Sequence, residues 1–132
     1  MAKEWLGVRN GELAPCPNSP NCISTQAQRP PQKMESLPFF HDKDGAKNVI
    51  LNIIGAEKGT EIQSQHEDYL HVVFTSKFLK FKDDVEFYFD QLEERVHFRS
   101  ASRVGCIDFG VNRKRMERIS KEYLDQMKGA SS

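Results

Sequence analysis

Residues 85–99 read VEFYFDQLEERVHFR, and this stretch decides the fold. Val85, Phe87 and Phe89 alternate with Glu86, Tyr88 and Asp90; after Gln91–Glu94, Val96 and Phe98 alternate with Arg95, His97 and Arg99. A period of two is that of a strand with one buried face. A loop over residues 91–94 pairs residue 90 with 95, 88 with 97 and 86 with 99. That register sets Phe89 opposite Val96 and Phe87 opposite Phe98 on the core face, and Asp90 opposite Arg95 and Glu86 opposite Arg99 on the other. Apolar and charged pairs agree on one register, as in a specified hairpin. The two charged pairs read as exposed contacts, contributing roughly 0–1 kcal/mol each.

Working outward, Thr60–Gln65 and Tyr69–Ser76 form two further strands around a His66-Glu67-Asp68 turn, with Ile62 and Ser64 sharing a face with Leu70, Val72 and Phe74. Residues 77–84 (KFLKFKDD) read as a charged turn in which Phe78, Leu79 and Phe81 cover the sheet end and Asp83-Asp84 is solvated. Before the strands, Asp42–Gly55 carries Ala46, Val49, Ile50, Ile53 and Ile54 at helical spacing, with Asp42 or Asp44 to cap its start. After them, a helix from Asn112 to Met127 presents Met116, Ile119, Tyr123, Leu124 and Met127, and Gly129 ends it. The fold class expected is therefore α+β: a four-stranded antiparallel meander packed on two helices, one before and one after the strands. Residues 1–41 hold all six prolines, which exclude long helices and central strands. They read as an irregular, extended arm over the core, loosest at Ser24–Ser36. The whole, residues 1–132, is expected to be a single domain, with the arm at 1–41 and the helix–strands–helix body at 42–128.

The chain balances 19 basic against 19 acidic residues, which argues against a nucleic-acid partner. No apolar run approaches the roughly 18 residues of a membrane span, so no membrane partner is expected. The first residues lack the apolar core of a signal peptide. The expected location is cytoplasmic, or exported or lumenal if a leader has been trimmed. Three cysteines do not make a complete disulfide framework. Cys16 and Cys22 could bridge in an oxidising compartment and would stay thiols in a reducing one. Their spacing fits no zinc knuckle, and no metal or cofactor is expected. The four histidines are scattered, with His71 and His97 on outward strand faces.

Charge is unevenly distributed. Residues 82–94 set one lysine against six acids, whereas residues 95–118 set seven basic residues against Asp108 and Glu117. Arg113, Lys114 and Arg115 fall in the first turn of the last helix, where the macrodipole disfavours cations by about 0.3–1 kcal/mol each. Something negative should compensate: Asp108 through an internal network, or a bound phosphate or carboxylate held by the helix start and Arg forks. The candidate ligand-binding residues are Arg99, Ser100, Ser102, Arg103, Asp108, Asn112, Arg113 and Arg115.

Three stretches together, LAPCPNSPNCIS at 13–24, YLHVVFTSKFLKFKDDVEF at 69–87 and RSASRVGCIDFGVNRKRMERI at 99–119, resemble the family called domain of unknown function 1499. Its first motif is matched by Cys16 and Cys22, and its last by Arg99, Ser100, Ser102, Arg103, Gly105, Asp108, Gly110, Asn112, Arg113 and Arg115. Cys106 departs from it. The resemblance brings no activity. It implies that the two motifs form one site, and the exported or lumenal character of many members favours a Cys16–Cys22 bridge. The function expected is binding of a small anionic ligand by the loop at the start of the C-terminal helix. The alternatives are a protein-interaction or assembly factor with a redox-responsive or structural cysteine pair, and an enzyme using Asp108 with the Arg cluster.

Overall fold

A computed structural model describes residues 5–104 and 110–131. The hairpin is as its alternation dictates: β7 (Lys82–Asp90) and β8 (Arg95–Ser102) pair Asp90 with Arg95, Phe89 with Val96, Phe87 with Phe98 and Glu86 with Arg99. Two strands precede it, β5 (Thr60–Gln65) and β6 (Tyr69–Thr75), joined in the order β8-β7-β6-β5, all antiparallel. A bulge between Ile62 and Ser64 shifts the β5–β6 register, so Ile62 lies opposite Val72 but Ser64 opposite His71. The expected shared face of Ile62 and Ser64 is thereby broken, since one extra residue reverses side-chain direction.

The sheet is larger than the four-stranded meander. Two short arm segments, β3 (Cys22–Ser24) and β4 (Leu37–Pro38), both pair with the far edge of β8, making six strands. Proline is tolerated at such an edge because its missing N–H costs no ladder bond there. Ahead of them, β1 (Val8–Arg9) and β2 (Glu12–Leu13) form a separate small hairpin. Its turn, Asn10-Gly11, has both residues at positive φ, 53° and 76°, as a tight primed turn requires. Ser24–Ser36 is not loose: Ser24, Thr25 and Gln32 are buried, and Gln32 donates to the carbonyls of Pro17 (2.6 Å) and Ser19 (2.8 Å).

Helix α1 (Lys43–Gly55) is capped by Asp42, whose carboxylate accepts from the Gly45 amide at 2.7 Å. Glycine is required at 45, because a Cβ there would lie 2.0 Å from the Phe40 carbonyl oxygen. Helix α2 (Val111–Ser131) runs through Gly129 and beyond the expected end at Met127. Both helices cover one sheet face: Ile50, Ile53 and Ile54 of α1 and Met116, Ile119 and Tyr123 of α2 meet Leu70, Val72, Phe87, Phe89 and Phe98 in the core. Burying each such side chain contributes about 1.5–3 kcal/mol. Leu124, expected in the stripe, is exposed.

The opposite sheet face is closed by the arm, so the outward residues His71 and His97 are buried. The 77–84 stretch also differs from expectation. Phe78, Leu79 and Phe81 cover nothing and project into solvent, while Lys82, Asp83 and Asp84 belong to β7.

Cys16 and Cys22 are joined in a disulfide, Cα atoms 5.7 Å apart, and the second cysteine lies in β3 opposite Ala101. Replacing both by serine should lower the unfolding free energy by about 2–3 kcal/mol, measured by urea denaturation without reductant. A variant as stable as the parent would mean that the 16–22 loop is held by its other contacts alone.

Candidate functional site

Strand alternation splits the Arg/Ser/Asn motif across two faces of β8. Val96 and Phe98 point to the helices, and so do Ser100 and Ser102. Asn112, fully buried in the first turn of α2, receives a bond from Ser100 Oγ at 2.6 Å and one from Arg115 Nη1 at 3.0 Å. Its amide nitrogen donates to Ser102 Oγ (2.9 Å) and to the Asn21 carbonyl (3.2 Å). Arg115 donates to Asp83 Oδ2 at 2.7 Å and to Ser100 Oγ at 3.2 Å, with its guanidinium 4.7 Å over the Phe74 ring. One polar cluster thus ties β7, β8, α2 and the residue before Cys22. Asp83, expected in a solvated turn, is buried here and offsets a cation at the helix start.

Arg99 and Arg103 bond on the arm side. Arg99 lies beside Glu86 (Nη1 to Oε1, 3.6 Å), and both are essentially fully buried, at 1% and 0% side-chain exposure. The pair is therefore not the exposed contact that the alternation suggested; residues 7–15 cover it. Glu86 Oε2 accepts from Tyr69 Oη (2.6 Å) and the Gly7 amide (2.8 Å), and Arg99 Nη2 reaches the Pro15 carbonyl at 3.5 Å. Burial, and then the Glu86 carboxylate, push the Tyr69 phenol far above its ordinary value, so it stays a donor. Arg103 grips Asp84 with two bonds of 3.0 Å, and His71 Nε2 reaches the same carboxylate at 2.8 Å. Burial raises the Asp84 pKa, but the bonds from His71 and Arg103 outweigh it and hold the group at about 2. Arg95, expected opposite Asp90 as an ion pair, instead donates to Ser36 Oγ (2.9 Å) and the Ser36 carbonyl (2.6 Å). Asp90 caps its own turn at the amides of Leu92 and Glu93.

Arg113 is the third placement. Its Nη2 donates to the carbonyls of Pro31 (2.7 Å) and Lys33 (3.2 Å). Beside it lies a cleft of about 440 Å³ lined by Asn18, Ser19, Ile23, Arg29, Gly110 and Arg113 among others. The residues bracketed by the disulfide form one wall. Arg29 also lines a neighbouring cavity of about 320 Å³, with Glu12, Cys16, Gln26 and Gln32. Asp108, Gly105 and Cys106 lie outside the described residues. So of the eight candidate residues, Ser100, Ser102, Asn112 and Arg115 come together; Arg99 and Arg103 serve the opposite face, and Arg113 faces the cleft.

Among the described residues, one grouping has the donor set for a metal ion: Asp90, Glu93 and His97, whose ligand atoms lie within 4.8 Å of one another. His97 Nε2 meets Glu93 Oε1 at 2.7 Å, and its Nδ1 is hydrogen-bonded to Thr25 Oγ1 at 2.9 Å. This grouping was not apparent from the sequence, although Glu93 and His97 are four apart across a turn. Cys16 and Cys22 offer no thiolate, being bonded to each other. Arg29 was likewise missed, since it sits in the arm far from the motif.

An α+β fold whose N-terminal arm, closed on itself by a disulfide, is tied to the last strand by β-pairing and to the last helix by a polar cluster defines the class of the molecule. Residues 12–123 match the family described as "Protein of unknown function (DUF1499)", and the chain belongs to it. No curated protein and no solved structure matches the chain.

Arg115→Met strands the buried Asp83 carboxylate and should cost about 3–5 kcal/mol, whereas Asp83→Asn combined with Arg115→Met should recover part of that loss in urea denaturation. A double variant less stable than Arg115→Met alone would refute the pairing. Asp84 supplies a pH dependence. Its folded pKa lies below the ordinary aspartate value of 3.8, so its contribution, about 2 kcal/mol, is complete above pH ~4 and lost as pH falls towards 2. The Asp84→Asn variant should lack that part of the acid limb, as read from denaturation midpoints between pH 5 and pH 2.

Proposed function

We propose that the chain binds a small anion, phosphate- or carboxylate-bearing, in the cleft between the arm and the first turn of α2. The supporting observation is a contrast among the arginines. Arg99, Arg103 and Arg115 each have a carboxylate within 4 Å. Arg29 and Arg113 line the same cleft and form no ion pair among the described residues. Arg113 is fixed by two carbonyl acceptors on one nitrogen, which holds its fork in place without neutralising it. Asn18 and Ser19 add neutral partners, and Gly110 brings the positive end of the α2 macrodipole to the edge of the cleft. The ligand residues proposed are thus Arg29, Arg113, Asn18 and Ser19, with Ser100, Ser102, Asn112 and Arg115 as the scaffold behind them.

A second reading, an interaction factor that responds to redox state, is favoured by one observation. The disulfide brackets the cleft wall and ends one residue from Asn21, whose carbonyl is held by Asn112. Reduction would then loosen the wall that the anion contacts. Such a bridge suits an oxidising compartment, consistent with an exported or lumenal location.

Thermal-shift measurements with orthophosphate, sugar phosphates and dicarboxylates test the binding reading. A true ligand at about 100-fold its dissociation constant should stabilise by about 2.7 kcal/mol, and Arg29→Ala should abolish the shift while leaving the unliganded melting temperature unchanged. If no anion stabilises the parent, or if Arg29→Ala and Arg113→Lys respond like the parent, the reading fails.

A further inference from the structure

We infer that the β6–β7 hairpin tip, Lys77-Phe78-Leu79-Lys80-Phe81-Lys82, is a device for docking onto an anionic membrane surface. Phe78, Leu79 and Phe81 are 85%, 70% and 53% exposed. Single exposed apolar residues are ordinary, but three large ones within four positions are not. Nor are they there because the turn is unstructured. The Ser76 amide donates to the Phe81 carbonyl, and the Phe81 amide to Ser76 Oγ, both at 2.9 Å. The loop is closed on itself, with Lys80 at φ 59°, and the apolar side chains stand outside the closure.

The charge around them supports the same occupant. Lys77, Lys80 and Lys82 interleave with the apolar residues, and the Lys77 ammonium lies 5.5 Å over the Phe78 ring. In sequence the two acids that follow would offset this charge. In space they do not: Asp83 is drawn inward to Arg115 at 2.7 Å and Asp84 to Arg103 at 3.0 Å. Among the described residues, no carboxylate forms an ion pair with the three lysines of the tip. Val104, 62% exposed, follows Arg103, whose amide donates to the Lys82 carbonyl, and so it extends the apolar surface at the same end.

Shape selects between an acidic protein and a lipid surface. A protein partner of ordinary affinity needs about 800 Å² from each side, usually flat or concave, whereas a hairpin tip is narrow and convex. A bilayer accepts such a wedge: apolar side chains enter at the headgroup boundary while flanking lysines reach lipid phosphates. Among the described residues no helix is long and apolar enough to cross a membrane. The absence of a spanning segment does not bear on a peripheral contact of this kind. The tip shares no residue with the anion cleft.

The test is co-sedimentation of the full chain, disulfide intact, with phosphatidylcholine vesicles with and without phosphatidylserine. The chain should pellet with the anionic vesicles only, and less so as salt rises. Lys77→Gln/Lys80→Gln/Lys82→Gln should weaken this by about 100-fold. Phe78→Ser/Leu79→Ser/Phe81→Ser should remove the salt-resistant part, and both variants should melt like the parent because the positions are exposed. In a Trp5→Phe background, Phe81→Trp should shift its fluorescence to the blue on vesicle addition. Failure to pellet, pelleting unchanged in both variants, or binding without the blue shift overturns the inference. So does equal binding to soluble polyglutamate that ignores the apolar substitutions, which would assign the tip to an acidic protein.

Discussion

β8 is buried on both faces, and much of the rest follows from what that demands. One face meets the helices and the other meets the arm, so every polar side chain along the strand needs a partner close by. Ser100 and Ser102 find theirs on α2, Arg99 in Glu86 and Arg95 in Ser36. Burying the Arg99–Glu86 pair in particular is costly, because desolvation of two ions is repaid only when further bonds satisfy them. Tyr69 and Gly7 supply those to Glu86, and the arm that carries Gly7 is the same arm that excludes the water. The pair and its cover therefore depend on each other.

The same reasoning explains why an arm so rich in proline is ordered. It cannot form a long helix or a central strand, but it can pair with the edge of β8 and cap the outer face. Its fixings are spread along its length: Gly7 to Glu86, the disulfide, Asn21 to Asn112, Gln32 to Pro17, and the Pro31 and Lys33 carbonyls to Arg113. Two of these partners, Asn112 and Arg113, stand in the first turn of α2. The family motif near the N-terminus and the one near the C-terminus are thus two halves of one joint, and the anion proposal is a statement about the cleft that this joint leaves open.

The β7–β8 register was legible in the sequence because two independent patterns, apolar and charged, pointed to the same pairing. Helices α1 and α2 were legible from their apolar period. The six-stranded sheet was not, since β3 and β4 are only three and two residues long and carry no alternation to read. Asn10-Gly11 did carry a hairpin signal that proline content obscured. Charge was misread wherever composition had to stand for direction: Asp83 and Asp84 look like a solvated pair, yet one points to each face of β7 and both are consumed by arginines. For the same reason the motif from Arg99 to Arg115 looked like one open site, although neighbouring strand residues must diverge.

The bulge at Ile62–Ser64 bears on how copies of this molecule meet. With β8 sealed by β3 and β4, the other side of the sheet ends at β5, which has no further strand beside it among the described residues. A flat, apolar border of that kind would template strand addition from one copy to the next. β5 is a poor template instead: its sequence TEIQSQ is largely polar, and the extra residue kinks it halfway along. An incoming strand could stay in step with only half of it. The two borders are protected in opposite ways, one by occupancy and the other by irregularity, which steers self-association away from continuous sheet.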